Sequence, residues 1–425
     1  MSFSFDEKCK RTFCPLPWNH SYLNLDGSFH VCCTGQSFGN EIMMNFGEKA
    51  SIESGYSTIE VMNSDFMKKL RLDMLKGRWS SMCQRCEVTE KNNGVSRRNL
   101  EIKTHESKIE EMLESTLEDG TINYPVTSID YRLGNVCNLQ CRMCNPRSSK
   151  LWIEDWNKVV PQNEKVSPEV IESLKRYDWI DSEDLIKDFK EKSLHLEHIQ
   201  FAGGEPLLVP QMSRILELCI ESGNSKNIII SYTTNLTHLP KKVLDLWKYF
   251  KGVKILASID AVGDLNHYIR YPSNWDEIDQ NLKFIDENYE SLNVIECILN
   301  TTVGALNVCS LNKIYNYLST FNFVVKVPNL SNLQFPSYLA TTVLPAPLKK
   351  LASIQLTQIK MSHIHILPDH QKYLVENINN VIQFMNSYDG YRTEEFQKFK
   401  KFQNDFDKLK GLNLLDYCRE FEKFI

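Results

Sequence analysis

Cys137, Cys141 and Cys144 stand at C-x3-C-x2-C spacing in NVCNLQCRMCNP, among thirteen cysteines in 425 residues. Chance placement is a poor account of so tight a triplet, and thiolates this close together are first of all metal ligands. A structural zinc site closes with four ligands, and no further His or Cys follows within zinc-finger spacing. On a cubane iron-sulfur cluster, three thiolates leave one iron open. A sulfonium substrate could chelate that iron through its amino and carboxylate groups, which would set its sulfur beside an electron source. Three ligands are then what the chemistry requires.

A second set lies upstream: Cys14 in FCPLPW, the pair Cys32-Cys33 after Asp26-Gly27, and Cys83-x-x-Cys86. Four thiolates from Cys14, Cys32, Cys83 and Cys86 suit a [4Fe-4S] cluster or a tetrahedral zinc, and spacing does not separate the two. Neighbours on an extended backbone point to opposite faces, so one of Cys32 and Cys33 is expected to ligate. Cys9, Cys33, Cys219, Cys297, Cys309 and Cys418 lack a partnered spacing and read as small buried hydrophobes. His20 and His30 lie near enough in sequence to replace a ligand, although histidines there are more commonly hydrogen-bonded structural residues. Trp18, Tyr22 and Trp79 read as packing.

The elements that would carry these residues change character along the chain. Residues 1 to about 120 are mixed, with a turn signal at Asp26-Gly27 and a helical stretch near 61 to 76. Beyond them, short β-rich runs alternate with helical patterns, the signature of βα units. The runs are Thr127 to Leu133, His198 to Ala202, Asn227 to Tyr232, Val253 to Ile259, Val294 to Thr302 and Phe323 to Val327. Six such units with right-handed crossovers build an open doubly wound sheet or a full or partial parallel barrel, an α/β fold with its site at the C-terminal ends of the strands. The cysteine triplet directly follows the first run. From about 336 the pattern is amphipathic and helical, suited either to capping the barrel or to docking a partner.

A triplet of this spacing after the first strand resembles the signature of the radical S-adenosylmethionine (SAM) superfamily. The resemblance implies a partial (β/α)6 barrel and a [4Fe-4S] cluster on Cys137, Cys141 and Cys144 that cleaves SAM reductively, yielding a 5'-deoxyadenosyl radical that abstracts hydrogen. Met143 stands where the family usually has an aromatic residue, a departure that bears on adenine packing. Phe201-Ala202-Gly203-Gly204-Glu205-Pro206 is similar to the family's GGEP turn, which contacts the SAM amino group; glycines there would let backbone approach a ligand closely. The third and fourth runs end in Thr233-Thr234-Asn235 and Ala257-Ser258-Ile259-Asp260. By resemblance Asn235 and Asp260 join the cofactor site, Ser258 meets the SAM ribose or carboxylate, and Arg270 holds the carboxylate with its planar fork. The blander reading of Arg270 is a surface ion pair. Asn300 either faces the site or serves turn chemistry.

The upstream set also carries a resemblance. C-P-x-P-W, D-G-x4-C-C, Gly39-Asn40, the helix Met62 to Arg71 and C-x2-C together resemble the twitch type of auxiliary-cluster domain, a shorter relative of the SPASM domain, over about residues 13 to 98. In many family members this domain follows the barrel, whereas here it precedes it. The resemblance favours a second [4Fe-4S] cluster, and the G-x4-C spacing favours Cys32 over Cys33. The expected organisation is an auxiliary domain over 1–120, the barrel over 121–335 and a helical extension over 336–425.

Composition bounds the remaining classes. Hydrophobic residues at 42% and charged residues at 24% suit an ordinary globular chain and exclude collagen-like or largely disordered readings. A net charge of -5 gives no general attraction to nucleic acid. The run Lys68, Lys69, Arg71, Lys76 and Arg78 reads as a solvated helix face. No apolar run reaches membrane-spanning length, and the start of the chain lacks a signal-peptide pattern, so the cytoplasm is expected. Twitch and SPASM relatives act mostly on peptides or proteins. That implies a peptide or protein substrate, with a small-molecule (sugar, aminoglycoside or nucleotide) dehydrogenase as the alternative and flavodoxin or ferredoxin as the electron donor. A non-catalytic metal-binding interaction module is the alternative of another class.

Overall fold

A computed structural model describes residues 3–35, 41–44, 47–91, 94–176, 178–362, 368–388 and 393–425. Gly39-Asn40 lies outside them. Eight strands, β1 (His20–Leu23), β2 (Phe29–His30), β3 (Ser128–Arg132), β4 (His198–Ala202), β5 (Ile229–Thr234), β6 (Gly252–Ala257), β7 (Val294–Val303) and β8 (Asn329–Asn332), form one sheet in the order β2-β1-β3-β4-β5-β6-β7-β8. β1 pairs with β3, β3 with β4, β6 with β7 and β7 with β8 in parallel, and β1 with β2 antiparallel. The fold is α/β, consistent with a partial barrel.

Five of the six expected strands form within two residues of their expected ends. The sixth does not: Phe323 to Val327 was expected, and the strand is Asn329–Asn332. The cause is Asp286, whose carboxylate accepts the backbone N–H groups of Asn322, Phe323 and Val324 at 2.7 to 3.1 Å. Those three donors are turned to the carboxylate; Val325 N–H still reaches Cys297 O of β7 at 2.9 Å, and the regular ladder begins at Asn329. The N-terminal segment also supplies β1 and β2, which sequence reading left outside the sheet. β1 pairs in parallel with β3, from His20 opposite Ser128 to Leu23 opposite Tyr131.

By contact density the chain forms two compact units, Met1–Gly134 with Tyr177–Ser231 and Tyr249–Lys251, and Asn135–Arg176 with Tyr232–Lys248 and Gly252–Ile425. In the first, Ile129 and Tyr131 of β3 face the helix Glu183–Ser193, where Lys192 donates to the Tyr131 hydroxyl at 2.8 Å and to Asp188 at 2.5 Å. Strand alternation turns Ser128, Asp130 and Arg132 to the opposite face. The Asp26-Gly27 turn closes with Gly27 at φ +72°, and a Cβ there would lie 2.7 Å from the Trp179 ring. Among the described residues of the second unit, no helix is long and apolar enough to cross a membrane, and the same holds for the first.

The helix Asp65–Leu75 corrects the reading of its basic run. Lys69, Lys76 and Arg78 are exposed, but Arg71 is 0% exposed and donates to the carbonyls of Gly120, Pro17 and Met62 at 2.7 to 2.8 Å. It is a structural arginine that ties three chain segments together. Arg71→Ala leaves those buried carbonyls unanswered and is expected to destabilise the protein by about 3 kcal/mol or more, while Lys69→Ala changes stability by less than about 0.5 kcal/mol. Urea denaturation of the two variants checks the contrast.

Candidate active site

The cysteine loop is built by local hydrogen bonds before any cofactor enters. Asn135 donates to the carbonyls of Pro146 and Leu174, Ser149 Oγ donates to the Leu139 carbonyl, and Trp152 Nε1 donates to the Cys141 carbonyl at 3.0 Å. The loop also pairs with the segment that bears Arg270: the N–H of Gln140 reaches Tyr271 O at 2.5 Å, and that of Arg142 reaches Ile269 O at 2.9 Å. Cys141 is buried, while Cys137 and Cys144 are half-buried.

Arg270 sits against these thiols. Its Nη1 lies 3.9 Å from Cys141 Sγ, and its Nε lies 2.7 Å from Asp260 Oδ2 in an ion pair whose angle makes no hydrogen bond. The surface reading of Arg270 is therefore wrong, since it is 9% exposed and Asp260 is 0% exposed. Burial pulls the Arg270 proton affinity down, but Asp260 and then Cys141 override it, so the guanidinium stays firmly charged. The Cys141 thiol donates to Cys144; that bond and then burial push Cys141 well up, while the same bond, helped by Arg270, holds Cys144 down against burial. Asp260 Oδ1 accepts the N–H of Thr302 at 2.7 Å, which ties the end of β6 to β7. Asn235 Nδ2 lies 3.9 Å from Cys137 Sγ and donates to Asn138, so the end of β5 braces the start of the loop. Ser258 is half-buried just beyond β6, with its N–H on the Thr234 carbonyl. Asn300 accepts from Asn329 of β8. Met143 lines a small, mostly apolar cavity with Ile269, Ala305, Leu306 and Leu333.

In the other unit, Gly203 has φ +121°, and a Cβ there would stand 2.9 Å from the Leu133 nitrogen and 3.0 Å from the Gly134 oxygen. The glycine is required by backbone of the neighbouring strand's end, a physical reason different from the expected close approach to a ligand. The Gly204 N–H donates to Gly134 O at 2.9 Å, and Glu205, 1% exposed, accepts the N–H of Leu207.

The upstream cysteines come together in the same unit. Cys14, Cys32, Cys83 and Cys86 line one small cavity with Leu16, Met74, Met82, Arg85, Arg97 and Arg98. Cys33 is not among the lining residues; its sulfur accepts from Arg97 Nη1 at 3.5 Å, as opposite faces of an extended pair require. Burial pushes the Cys14 thiol well up and Cys83 up to about 12. Thiols held protonated by burial become ligands when a metal takes the place of their protons. All thirteen cysteines are free thiols, and among the described residues no three His, Cys, Asp or Glu side chains stand close enough to share one metal ion. His20 bonds Ser128 Oγ and His30 bonds Ser28 Oγ, both at 3.0 Å, in structural roles.

What sequence reading missed is the role of the C-terminal helix Thr393–Lys410. Arg142, within the cysteine loop and 1% exposed, donates to Tyr268 O at 2.8 Å, to Gln403 Oε1 at 2.6 Å and to Asp407 Oδ1 at 2.5 Å. Its guanidinium lies 3.7 Å from the Tyr268 ring centre and 4.4 Å from that of Phe406. The available signal was Gln403 and Asp407, two polar residues at i and i+4 inside a stripe of Phe396, Phe399, Phe402 and Phe406. Asp407→Ala strands a buried charge and should cost about 3 to 5 kcal/mol, with a parallel loss of iron from the reconstituted protein. Gly203→Ala is expected to cost about 1 to 3 kcal/mol from strain alone. Thermal unfolding and iron content measure both.

Residues 131–316 match the family model described as the Radical SAM superfamily. No curated protein matches the chain. Among solved structures, "Native anSMEcpe with bound AdoMet and Kp18Cys peptide" aligns at 16% identity and TM-score 0.36, over 56% of this chain and 61% of that one. Streptococcus suis SuiB bound to S-adenosylmethionine aligns at 13% identity and TM-score 0.34, over 69% and 63%. SuiB bound to precursor peptide SuiA aligns at 13% and 0.30, over 64% and 54%. The chain thus spans about three fifths of the length of the solved structures it matches. The family match begins in β3 and runs through the cysteine loop and β7, so residues 131–316 form a Radical SAM superfamily region of the chain.

Proposed function

We propose that the enzyme cleaves SAM at a [4Fe-4S] cluster held by Cys137, Cys141 and Cys144 and directs the resulting radical to hydrogen abstraction from a peptide or protein. The observation that carries the cluster assignment is the loop itself: three thiols, braced on every side, with a buried guanidinium 3.9 Å from one of them. The donor set fits the group, because three soft thiolates complete three irons and leave the fourth for a chelating substrate. When bound, the cluster supplies the electron that splits the sulfonium into methionine and a 5'-deoxyadenosyl radical.

The chain's own residues orient the cofactor and exclude water. Arg270, held by Asp260, keeps its Nη groups toward the cysteines, where a carboxylate is to be received. Gly203, Gly204 and Glu205 receive the SAM amino group, Ser258 the ribose or carboxylate, and Asn235 steadies the loop. Met143 and its apolar neighbours offer a flat group such as adenine a dry surface.

Cys14, Cys32, Cys83 and Cys86 hold a second [4Fe-4S] cluster in this reading, within an auxiliary domain over 1–120 that precedes a barrel over 121–335 and a helical extension over 336–425. Their shared cavity, lined by three arginines, Arg85, Arg97 and Arg98, that offset thiolate charge, supports it. The auxiliary-type cysteine set is also what favours a peptide or protein substrate. Flavodoxin or ferredoxin would supply the electron.

Anaerobic reconstitution tests the reading. Wild type is expected to hold about eight irons and to form 5'-deoxyadenosine with SAM and dithionite; Cys141→Ala is expected to form none, and Cys83→Ala to keep about four irons. Zinc in place of iron, with no SAM cleavage, would overturn it.

A further inference from the structure

The segment that leads into β3 leaves backbone groups open beside a groove. Residues 121–127 run without turn or bend into the strand. On one edge of this segment the Asn123 N–H donates to Ser115 O at 3.2 Å, and Thr121 O accepts the Leu117 N–H at 2.8 Å. On the other edge the Asn63 carboxamide takes the place of a peptide: its Oδ1 accepts the Ile122 N–H at 3.0 Å and its Nδ2 donates to Ile122 O at 3.1 Å. In an extended chain, residues of one parity turn N–H and C=O to the same edge, so Tyr124 and Val126 follow Ile122 toward the Asn63 side. Among the described residues, neither the N–H nor the C=O of these two has a hydrogen-bond partner.

A groove of about 340 Å³ lies beside these groups, within the first compact unit. All of residues 122–126 line it, and Tyr124 and Val126 retain 9% and 7% exposure there. One face of a straight segment would present one parity of side chain, so lining by both parities sets the groove along the edge. Ile59 and Met62 of the helix Thr58–Met62 supply an apolar wall, and the exposed Glu191 and His195 a polar rim. Ile59, at 56% exposed, is an apolar side chain that no other part of this unit covers.

We infer that this groove binds an extended, apolar-rich peptide segment, which adds as a strand to the edge at Tyr124 and Val126. Open donors and acceptors at alternate residues are what an added strand answers, and an apolar wall beside them is what its alternate side chains cover. The carbonyls of such a peptide accept the two N–H groups, and its N–H groups donate to the two carbonyls. The Asn63 carboxamide already makes both bonds of this kind to Ile122, two residues earlier on the same edge. That the bound segment belongs to the substrate rests on the peptide reading given above.

The test uses the reconstituted full chain and a fluorescein-labelled, end-blocked pentapeptide of alternating valine and threonine, with its fully N-methylated analogue as control. Fluorescence anisotropy is expected to show binding of the first and binding of the analogue weaker by about tenfold or more. Amide hydrogen exchange over residues 121–127 is expected to slow when the peptide binds. Val126→Pro removes one donor and should weaken binding about tenfold, and Ile59→Asp, at an exposed position, about fivefold, with far-UV circular dichroism and iron content as checks on folding. Equal binding of the N-methylated analogue, unchanged exchange, or unchanged affinity in the folded variants would overturn the site. Slow exchange without peptide that is lost on dilution would also overturn it, because the occupant would then be a second copy of the chain. Peptide bound there in an enzyme that turns over a sugar and no peptide would uphold the groove and sink the peptide reading separately.

Discussion

Arg142 stands next to Cys141, wholly buried, and its charge must be met inside the fold. A loop of three cysteines has little apolar surface of its own with which to fix its shape, so its geometry depends on what grips its backbone and its one long side chain. Arg142 provides that grip by reaching Tyr268 O on one side and Gln403 and Asp407 on the other, between the rings of Tyr268 and Phe406. Tyr268 in turn donates to Asp407 at 2.9 Å, so one carboxylate answers both groups. Lys410 extends the same tie to Asp155 at 2.7 Å. The C-terminal helix, which lies beyond the family match, is therefore part of the support of the cysteine loop.

The same device recurs at the other cysteine set. Arg71 binds Pro17 O, and Arg98 binds Lys10 O and Phe13 O while pairing with Glu90. Both hold the carbonyls that flank Cys14. Arginine suits this role because its fork offers several donors at fixed angles and never loses its charge. A buried arginine without partners would be costly, so each also fixes which chain segments can meet.

The cysteine spacing was legible because three ligands on one metal group demand a narrow range of chain lengths between them. Strand positions were legible from alternation, and the failure at β8 came from a side chain, Asp286, 36 residues away in sequence from the first amide it binds. The basic run misled for a similar reason: composition and spacing cannot tell an exposed lysine from an arginine that three distant carbonyls have drawn inward. At Gly203 the atoms that forbid a Cβ belong to the end of β3, a contact that no local pattern announces. Long-range polar contacts are what the sequence leaves unwritten.

Charge gives the final constraint on both cysteine sites. Burial favours the thiol at Cys14 and Cys83, and the bond to Cys144 with burial does so at Cys141, whereas the same bond holds Cys144 down. A metal group bound through these thiols as thiolates would couple its insertion to release of the protons they carry. Rigid loops then matter more than electrostatic attraction: the fold holds the sulfurs in place by arginines, tryptophan and backbone ties, and leaves their charge to be set by what they bind.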